Sequence, residues 1–354
     1  LSFVGEATEL RECHLRVNDL RCITETLVIE EPQLTVDGGA SWNRGTGEVR
    51  SAGLTLASGS LAFHAEGVHL LLDKEDFQAS GDIGFRGDVG RLTSWVRDAE
   101  ANTPTRLAGE VVGRLALTQR GRESQMSLES SIAKLDFYGP AQPGQDMPMQ
   151  IQWSEPNVRL AGTATYSSES RLATMTRLEV GANNTASAIA TGTLQDPAGE
   201  CLVDVEGQFS YNLSRVADRL RPLVGADLEL SGIQSRSVSL RGPLFDPTGN
   251  AAVLHASTSP ERPSRQRVST ELSGNASVVW DRANFAGFVA GPGEMVATLG
   301  NGIVALDPTE IVVSGGQWHA KPRIVLNETP ALVVLDKGPL FHNVELSPCL
   351  LYTS

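Results

Sequence analysis

The sequence predicts an all-β protein with two short helices, organised as an elongated, curved antiparallel sheet built from repeats of about 124 residues. Apolar and polar residues alternate over long segments, which is typical of strands with one dry face and one solvated face. The chain has 35 glycines and 18 prolines but only 5% aromatic residues, which favours many turns over a compact helical protein. A duplicated order of strands and helices is the third indication.

Long strands are predicted in three segments. Residues 107–117, 201–211 and 268–280 each alternate between apolar and polar side chains. The last segment has an apolar side of Leu272, Gly274, Ala276, Val278 and Trp280. About a dozen residues at about 3.3 Å each gives strands of about 40 Å.

Two segments have the apolar spacing of helices, near residues 88–99 and 212–221. Asp88 and Asn212 precede them and are suitable N-caps. Pro222 is expected to close or kink the second helix. We expect both helices to lie on the apolar face of the sheet or at its end. The side chains expected to face inward are Leu92, Trp95, Val216 and Leu220.

The duplication sets the predicted domain organisation. Residues 54–56 and 178–180 have the same pattern 124 residues apart, and so do residues 91–92 and 215–216. Further matches pair Gly109 with Gly232 at a separation of 123, and Arg120-Gly121 with Arg241-Gly242 at 121. The predicted parts are partial N-terminal strands (1–53), repeat 1 (54–177), repeat 2 (178–300), a partial repeat 3 (301–346) and a tail (347–354).

Both ends of the chain affect this interpretation. The sequence begins with Leu1, so a start, a signal or a membrane anchor is expected upstream. Residues 347–354 resemble translated sequencing-adapter sequence and are treated as a candidate non-native tail.

Charge argues against a nucleic-acid partner. The 42 acidic and 29 basic residues give a net charge of −13, and such a surface repels phosphate backbones. No run of 18 apolar residues is present to cross a bilayer as a helix.

Motif searches argue against an enzyme. The sequence contains no GxSxG, HExxH, GxxxxGK[ST] or DxDxDG pattern. The histidines are scattered, and no CxxC occurs, so neither a metal site nor a cofactor is expected. Cys13 and Cys22 are either bonded to each other or separate packed thiols, and the sequence leaves both open.

Several turns carry a resemblance to a known family. Residues 193–199 and 240–247 resemble the G-x-L-x-D-P turns between long strands in AsmA-like and TamB-like envelope proteins. The runs at 291–294, 297–302 and 313–316 are similar to the strand, xDGxxxxxP, strand, GG order near the ends of such proteins. Asn301 stands where an Asp is usual. The resemblance covers residues 50 to 345.

The resemblance implies a non-enzymatic periplasmic protein tethered to the inner membrane by an anchor outside this sequence. Its curved sheet would form a hydrophobic β-groove that shields or conducts the acyl chains of phospholipids, or of another acyl-chain lipid, towards the outer membrane. The candidate lipid-binding residues are Leu115, Leu117, Val203, Val205, Phe209, Val278 and Trp280.

Two other functions stay open at this point. In a structural or adhesive β-sandwich of the cell envelope, the same side chains would form an ordinary closed core. A β-helical polysaccharide enzyme would need clustered carboxylates on one parallel sheet, and the sequence contains no such cluster.

Overall fold

The alternating segments form long antiparallel strands in the computed structural model of the protein. The structure describes residues 2–4, 7–23, 28–72, 77–95, 106–140, 149–197, 199–245, 268–285, 287–309, 311–328 and 331–345. In these residues, 18 strands belong to a large open sheet, six to a small sheet, and two segments are helical. The predicted all-β class with two short helices is therefore confirmed.

The chain divides into two compact units. Unit 1 comprises residues 1–170 and 176–183, and unit 2 comprises residues 171–175 and 184–354. Strand β10 (Leu172–Ala182) contributes residues to both units.

Unit 1 is a meander in which each strand pairs with the next one along the chain. Helix α1 (Val89–Ser94) follows the sixth strand. The strands are β1 (Ser2–Val4), β2 (Ala7–Ile23), β3 (Val28–Asn43), β4 (Glu48–Ser58), β5 (Leu61–Leu71), β6 (Gln78–Asp88), β7 (Arg106–Arg120), β8 (Glu123–Pro140) and β9 (Met149–Ser167).

Unit 2 contributes strands to both sheets and carries helix α2 (Leu213–Val224). Its strands in the large sheet are β11 (Ala186–Gln195), β12 (Leu202–Asn212), β14 (Ile233–Pro243), β15 (Ser273–Trp280), β18 (Gly293–Gly300), β19 (Ile303–Thr309), β22 (Arg323–Val325) and β23 (Leu332–Val334). They pair in that order. The small sheet has the order β13 (Glu229–Ser231), β16 (Arg282–Phe285), β17 (Phe288–Ala290), β20 (Val312–Val313), β21 (Gly316–Trp318) and β24 (Phe341–His342).

The strand predicted over residues 268–280 begins five residues later than predicted. Residues 270–271 form a turn, and β15 starts at Ser273. The Ser269 hydroxyl accepts a hydrogen bond from the Glu271 N–H at 3.1 Å. The Asn327 side chain bonds both the N–H and the carbonyl of Val268. These side chains satisfy backbone groups that a strand would otherwise pair, so the alternation there does not produce a strand.

Both helices begin where predicted and end elsewhere. The side chains of Asp88 and Asn212 each accept a hydrogen bond from the N–H three residues later, which confirms the two N-caps. Helix α1 ends at Ser94, before the predicted end, and residues 96–99 lie outside the described residues. Helix α2 continues through Pro222 to Val224. It ends at Gly225, whose N–H bonds the Arg221 carbonyl at 3.0 Å.

The duplicated order of elements is present in the structure. Strands β4 and β6 begin and end 124 residues before β10 and β12, and α1 begins 124 residues before α2. The following strands, β7 and β14, correspond at a separation of 123 residues. Ile83 and Gly207 are 124 residues apart, and their cross-strand partners, Leu115 and Val238, are 123 residues apart.

One predicted match fails. Gln78 and Leu202 are equivalent residues, 124 apart, at the starts of β6 and β12. Gln78 pairs with Arg120 and Leu202 pairs with Pro243, so Arg120 corresponds to Pro243 and not to Arg241. The predicted separation of 121 is wrong, because β7 and β14 stay 123 residues apart as far as Arg120 and Pro243. The expected third repeat stays a prediction, and its Val312–Val313 lies in the small sheet.

Matching glycines lie near the start of the duplicated strands, Gly109 at a register shift within β7 and Gly232 directly before β14. Gly109 and Gly232 have φ angles of +153° and +140°. A Cβ atom on Gly109 would lie 3.1 Å from the Lys134 carbonyl oxygen, and one on Gly232 would lie 3.2 Å from the Trp280 Cα atom. Both positions therefore favour glycine for its conformation and for its lack of a side chain.

The three cysteines in the described residues, Cys13, Cys22 and Cys201, are separate thiols. Cys13 and Cys22 lie nine residues apart in β2. At about 3.3 Å per residue they are about 30 Å apart, too far for a disulfide in this strand. Cys201 is buried.

Candidate functional site

One face of the unit 1 sheet is apolar across consecutive strands. Leu54, Ala65, Ile83, Leu115 and Leu128 are successive cross-strand partners on β4 to β8. Cross-strand partners share a face, as do residues two apart on one strand. The unit 1 apolar face defined in this way comprises Leu15, Val36, Leu54, Leu56, Phe63, Ala65, Ile83, Phe85, Leu115, Leu117, Met126, Leu128 and Leu160.

This face has almost no closed core. Among the described residues of unit 1, Val89 of helix α1 is the only buried hydrophobic side chain. Leu15 is 51% exposed and Leu54 is 41% exposed, while Leu115 and Leu117 are half-buried. A sheet packed against a second layer buries a row of apolar side chains on every strand. The unit 1 apolar face therefore presents aliphatic surface without a layer that seals it.

Helix α1 lies at one end of that face. Gly87 shares the face of Phe85, and a Cβ atom on Gly87 would lie 2.9 Å from Cδ1 of Leu92. Leu92 therefore lies on the apolar face, as the sequence predicted. Trp95 is half-buried, and its carbonyl accepts a hydrogen bond from Val28 at 2.7 Å.

Unit 2 carries an apolar face on β11, β12, β14, β15, β18, β19, β22 and β23. One row of partners runs through Val205, Leu240, Gly274, Leu299 and Val304. The unit 2 apolar face comprises Leu194, Val205, Phe209, Val238, Leu240, Ala276, Val278, Trp280, Met295, Ala297, Leu299, Val304, Leu306, Ile324 and Val333.

Part of this face is covered. Val203 is 6% exposed and packs with Cys201 and Leu272 in a buried cluster. Leu240 and Leu299 pack against that cluster and are themselves half-buried. Val203 is therefore a core residue. By contrast, Val278 is 37% exposed and lies in an open part of the face.

The predicted lipid-binding residues fall into two groups. Leu115 and Leu117 lie in unit 1, and the other five lie in unit 2. Val203, Val205 and Phe209 alternate on β12, and the pairing through β14 places Val278 and Trp280 on the same side of the sheet.

The predicted helix residues of unit 2 are only partly buried. Val216 and Leu220 are half-buried, whereas Leu213 and Ala217 are buried. The sequence analysis did not single out Ala217, although it lies four residues after Leu213 on the same side of α2.

Strands β14 and β15 separate at one end of the unit 2 apolar face. They pair only through residues 239–241 of β14. Beyond that point the Tyr211 hydroxyl donates to the Val279 carbonyl at 3.0 Å and accepts from the Val279 N–H at 2.6 Å. Tyr211 on β12 thus reaches across β14 and satisfies backbone groups of β15 that the sheet leaves unpaired.

Arg236 lies on the apolar face near this separation. It is the cross-strand partner of Phe209 and lies two residues from Val238 on β14. Its Nε atom is buried and has no hydrogen-bond partner among the residues that the structure describes. Sequence analysis missed Arg236, although the signal was a charge at an apolar position of the alternation.

The opposite face of unit 1 is polar. Thr55, His64, Gly84, Arg114 and Glu129 are successive cross-strand partners on β4 to β8 on this face. The His64 ring bonds the Thr55 hydroxyl at 2.9 Å and Glu66 at 3.0 Å, and Arg114 pairs with Asp82, which raises the pKa of the guanidinium.

Glu48, at the start of β4, accepts hydrogen bonds from two side chains. His69 lies 2.5 Å away and Arg50 lies 2.6 Å away. The hydrogen bond with His69, followed by that with Arg50, holds the pKa of the Glu48 carboxyl below its usual value.

Unit 1 also contains a cavity of about 310 Å³ beside helix α1, with both polar and apolar atoms on its walls. It is lined by residues 58–62 and 86–88 with Gly109 and Glu110. Arg86 and Glu110 form an ion pair on its wall, and the Asp88 side chain there accepts the hydrogen bond that caps helix α1.

Comparisons leave the family undetermined. No protein-family model, curated protein or solved structure matches the chain. In the described part of the chain, no three His, Cys, Asp or Glu side chains are placed to hold a metal ion. Neither helix in those residues has the length and apolarity needed to cross a membrane.

Proposed function

We propose that this protein is a non-enzymatic envelope protein that shields or conducts the acyl chains of phospholipids on the apolar faces of its sheet. The observation that carries the proposal is the incomplete covering of a continuous aliphatic face in unit 1. Large contiguous exposed apolar patches in soluble proteins are typical of interaction sites, and Leu15 and Leu54 of this face are 51% and 41% exposed.

The chemistry of the face favours hydrocarbon chains. The members of the unit 1 apolar face are mostly Leu, Val, Ile, Ala and Met, and the polar groups lie on the other face. Such a surface offers no directional hydrogen bonds, so it recognises apolar area. Each CH₂ group removed from water contributes about 0.8 kcal/mol, and an acyl chain supplies many of them.

The resemblance to AsmA-like and TamB-like proteins supports the same proposal. It adds a periplasmic location and a tether to the inner membrane through a segment outside this sequence. Movement of lipid between the two membranes would then follow the apolar face.

The alternative is a structural or adhesive β-sandwich. A sandwich would require a second layer that buries each row of apolar side chains. The exposure of Leu15 and Leu54 favours the lipid-binding proposal over this alternative.

Binding of a phospholipid with a fluorescent acyl chain tests the proposal. We expect wild-type protein to bind the lipid and Leu117→Asp to weaken binding at least about 10-fold, because a carboxylate would be placed against hydrocarbon. Thr118→Asp, on the next residue and the opposite face, is the matched control. Absence of binding by wild-type protein, or equal weakening by the two variants, would contradict the proposal.

A further inference from the structure

We propose that Arg236 binds the phosphodiester of a phospholipid whose acyl chains lie on the unit 2 apolar face. This inference rests on the proposed function and adds a head-group site to it.

Charge on this face is confined to one residue. Among the described strand residues that face the same side as Val205 and Leu240, Arg236 is the only one with a charged side chain. The acidic residues Asp204 and Glu206 lie on the opposite face of β12, where Asp204 pairs with Arg241 at 2.9 Å. No carboxylate of these strands therefore neutralises Arg236 on its own face.

The guanidinium has an unused donor. Its Nε atom is buried and finds no hydrogen-bond partner in the described part of the chain, and a buried donor in that state is unfavourable to folding. The side chain as a whole is half-buried, so part of it stays accessible to a ligand. A planar guanidinium binds phosphate oxygens through charge-assisted hydrogen bonds, and the accessible part of the Arg236 side chain is where a phosphate would bind.

The two repeats differ at this position. Phe85 of repeat 1 corresponds to Phe209 of repeat 2, and their cross-strand partners are Gly113 and Arg236. A Cβ atom on Gly113 would lie 2.4 Å from the Phe85 ring, so in repeat 1 the ring occupies this space. Repeat 2 places a cation there, beside an otherwise similar apolar face.

The position suits an amphiphile. Val238 and Leu240 follow Arg236 on the same face of β14. Gln234 precedes Arg236 on that face, and Tyr211 is the cross-strand partner of Gln234 on β12. Polar groups therefore occur at one end of the face and aliphatic groups continue from there. A phospholipid with its phosphate at Arg236 would place its chains on Val238, Leu240 and their partners.

The test compares two ligands with the same fluorescent acyl chain, phosphatidylglycerol and diacylglycerol, on purified protein. We expect wild-type protein to bind phosphatidylglycerol about 10-fold more tightly. Arg236→Met should weaken phosphatidylglycerol binding about 10-fold and change diacylglycerol binding less than about 2-fold, since one charge-assisted hydrogen bond is lost. Arg236→Lys should recover part of the loss. Arg241→Met, on the same strand and the opposite face, should leave both affinities unchanged.

Each other outcome counts against the site. An Arg236→Met variant that binds phosphatidylglycerol as wild type does, or that weakens both ligands equally, overturns the assignment. Oleate binding that depends on Arg236 without a preference for phosphatidylglycerol would assign a carboxylate ligand and reject the phosphodiester. Equal wild-type affinity for the two labelled lipids rejects the head-group site and leaves the proposed function standing, whereas binding of neither rejects both.

Discussion

Tyr211 joins two strands that the sheet leaves apart, and its hydroxyl is the group that does so. Tyr211→Phe removes both hydrogen bonds to Val279 and leaves two half-buried backbone groups without this partner. We expect the free energy of unfolding to fall by about 1–3 kcal/mol, measured by urea denaturation. Tyr166→Phe in β9 is the control, because the Tyr166 hydroxyl has no partner in the part of the chain that the structure describes. Equal stability of Tyr211→Phe and wild type would show that water replaces these bonds.

Glu48 gives a prediction about pH. Its pKa in the folded protein lies below the ordinary value of 4.5 because of His69 and Arg50, so its contribution to stability is present above about pH 4.5. That contribution is lost as the pH falls through the folded pKa. We therefore expect Glu48→Gln to lower the melting temperature at neutral pH, with the difference from wild type shrinking below pH 4.5. Glu123→Gln, at an exposed position of β8, is the control for loss of a carboxylate, and a Glu48→Gln difference that grows on acidification would contradict this account.

Gly232, the repeat 2 counterpart of Gly109, gives a prediction about the start of β14. Gly232→Ala places a Cβ atom at a positive φ and against the β15 backbone, so we expect a loss of about 1–3 kcal/mol in unfolding free energy. Gly300→Ala, in β18, has no heavy atom within 4 Å of its new Cβ and should change stability by less than about 1 kcal/mol. Chemical denaturation of the two variants measures the contrast. Similar stability for both would mean that the strand start at Gly232 tolerates a side chain.

The sequence predicted most elements because local patterns specify them. Alternation identified β7 and β12 almost to their ends, and Asp88 and Asn212 marked the starts of both helices. The start of β15 was missed because Asn327, 59 residues after Val268, supplies the hydrogen bonds there. Such long-range contacts leave no periodic signal. Arg236 was overlooked for a related reason, since only the strand pairing shows that its face carries no other charge.

Two charge insertions distinguish open from covered parts of the molecule. Leu54 in unit 1 and Val203 in unit 2 both lie on apolar faces, but Leu54 is exposed and Val203 is buried. We expect Leu54→Asp to cost less than about 1 kcal/mol and Val203→Asp to cost about 3 kcal/mol or more, because only the second places an unpaired charge in a closed core. Thermal and urea unfolding of the two variants measure the difference. A large loss for Leu54→Asp would favour the β-sandwich.

The most direct measurement is photo-crosslinking of the whole protein with a phospholipid that carries a diazirine in its acyl chain, followed by mapping of the adducts by mass spectrometry. The account predicts adducts on the two apolar faces, at residues such as Leu54, Leu115, Leu117 and Val278, and none on Arg114, Thr118 or Asn275 of the polar faces. Adducts distributed equally over both faces, or no adducts at lipid concentrations that label a known lipid carrier, would contradict it.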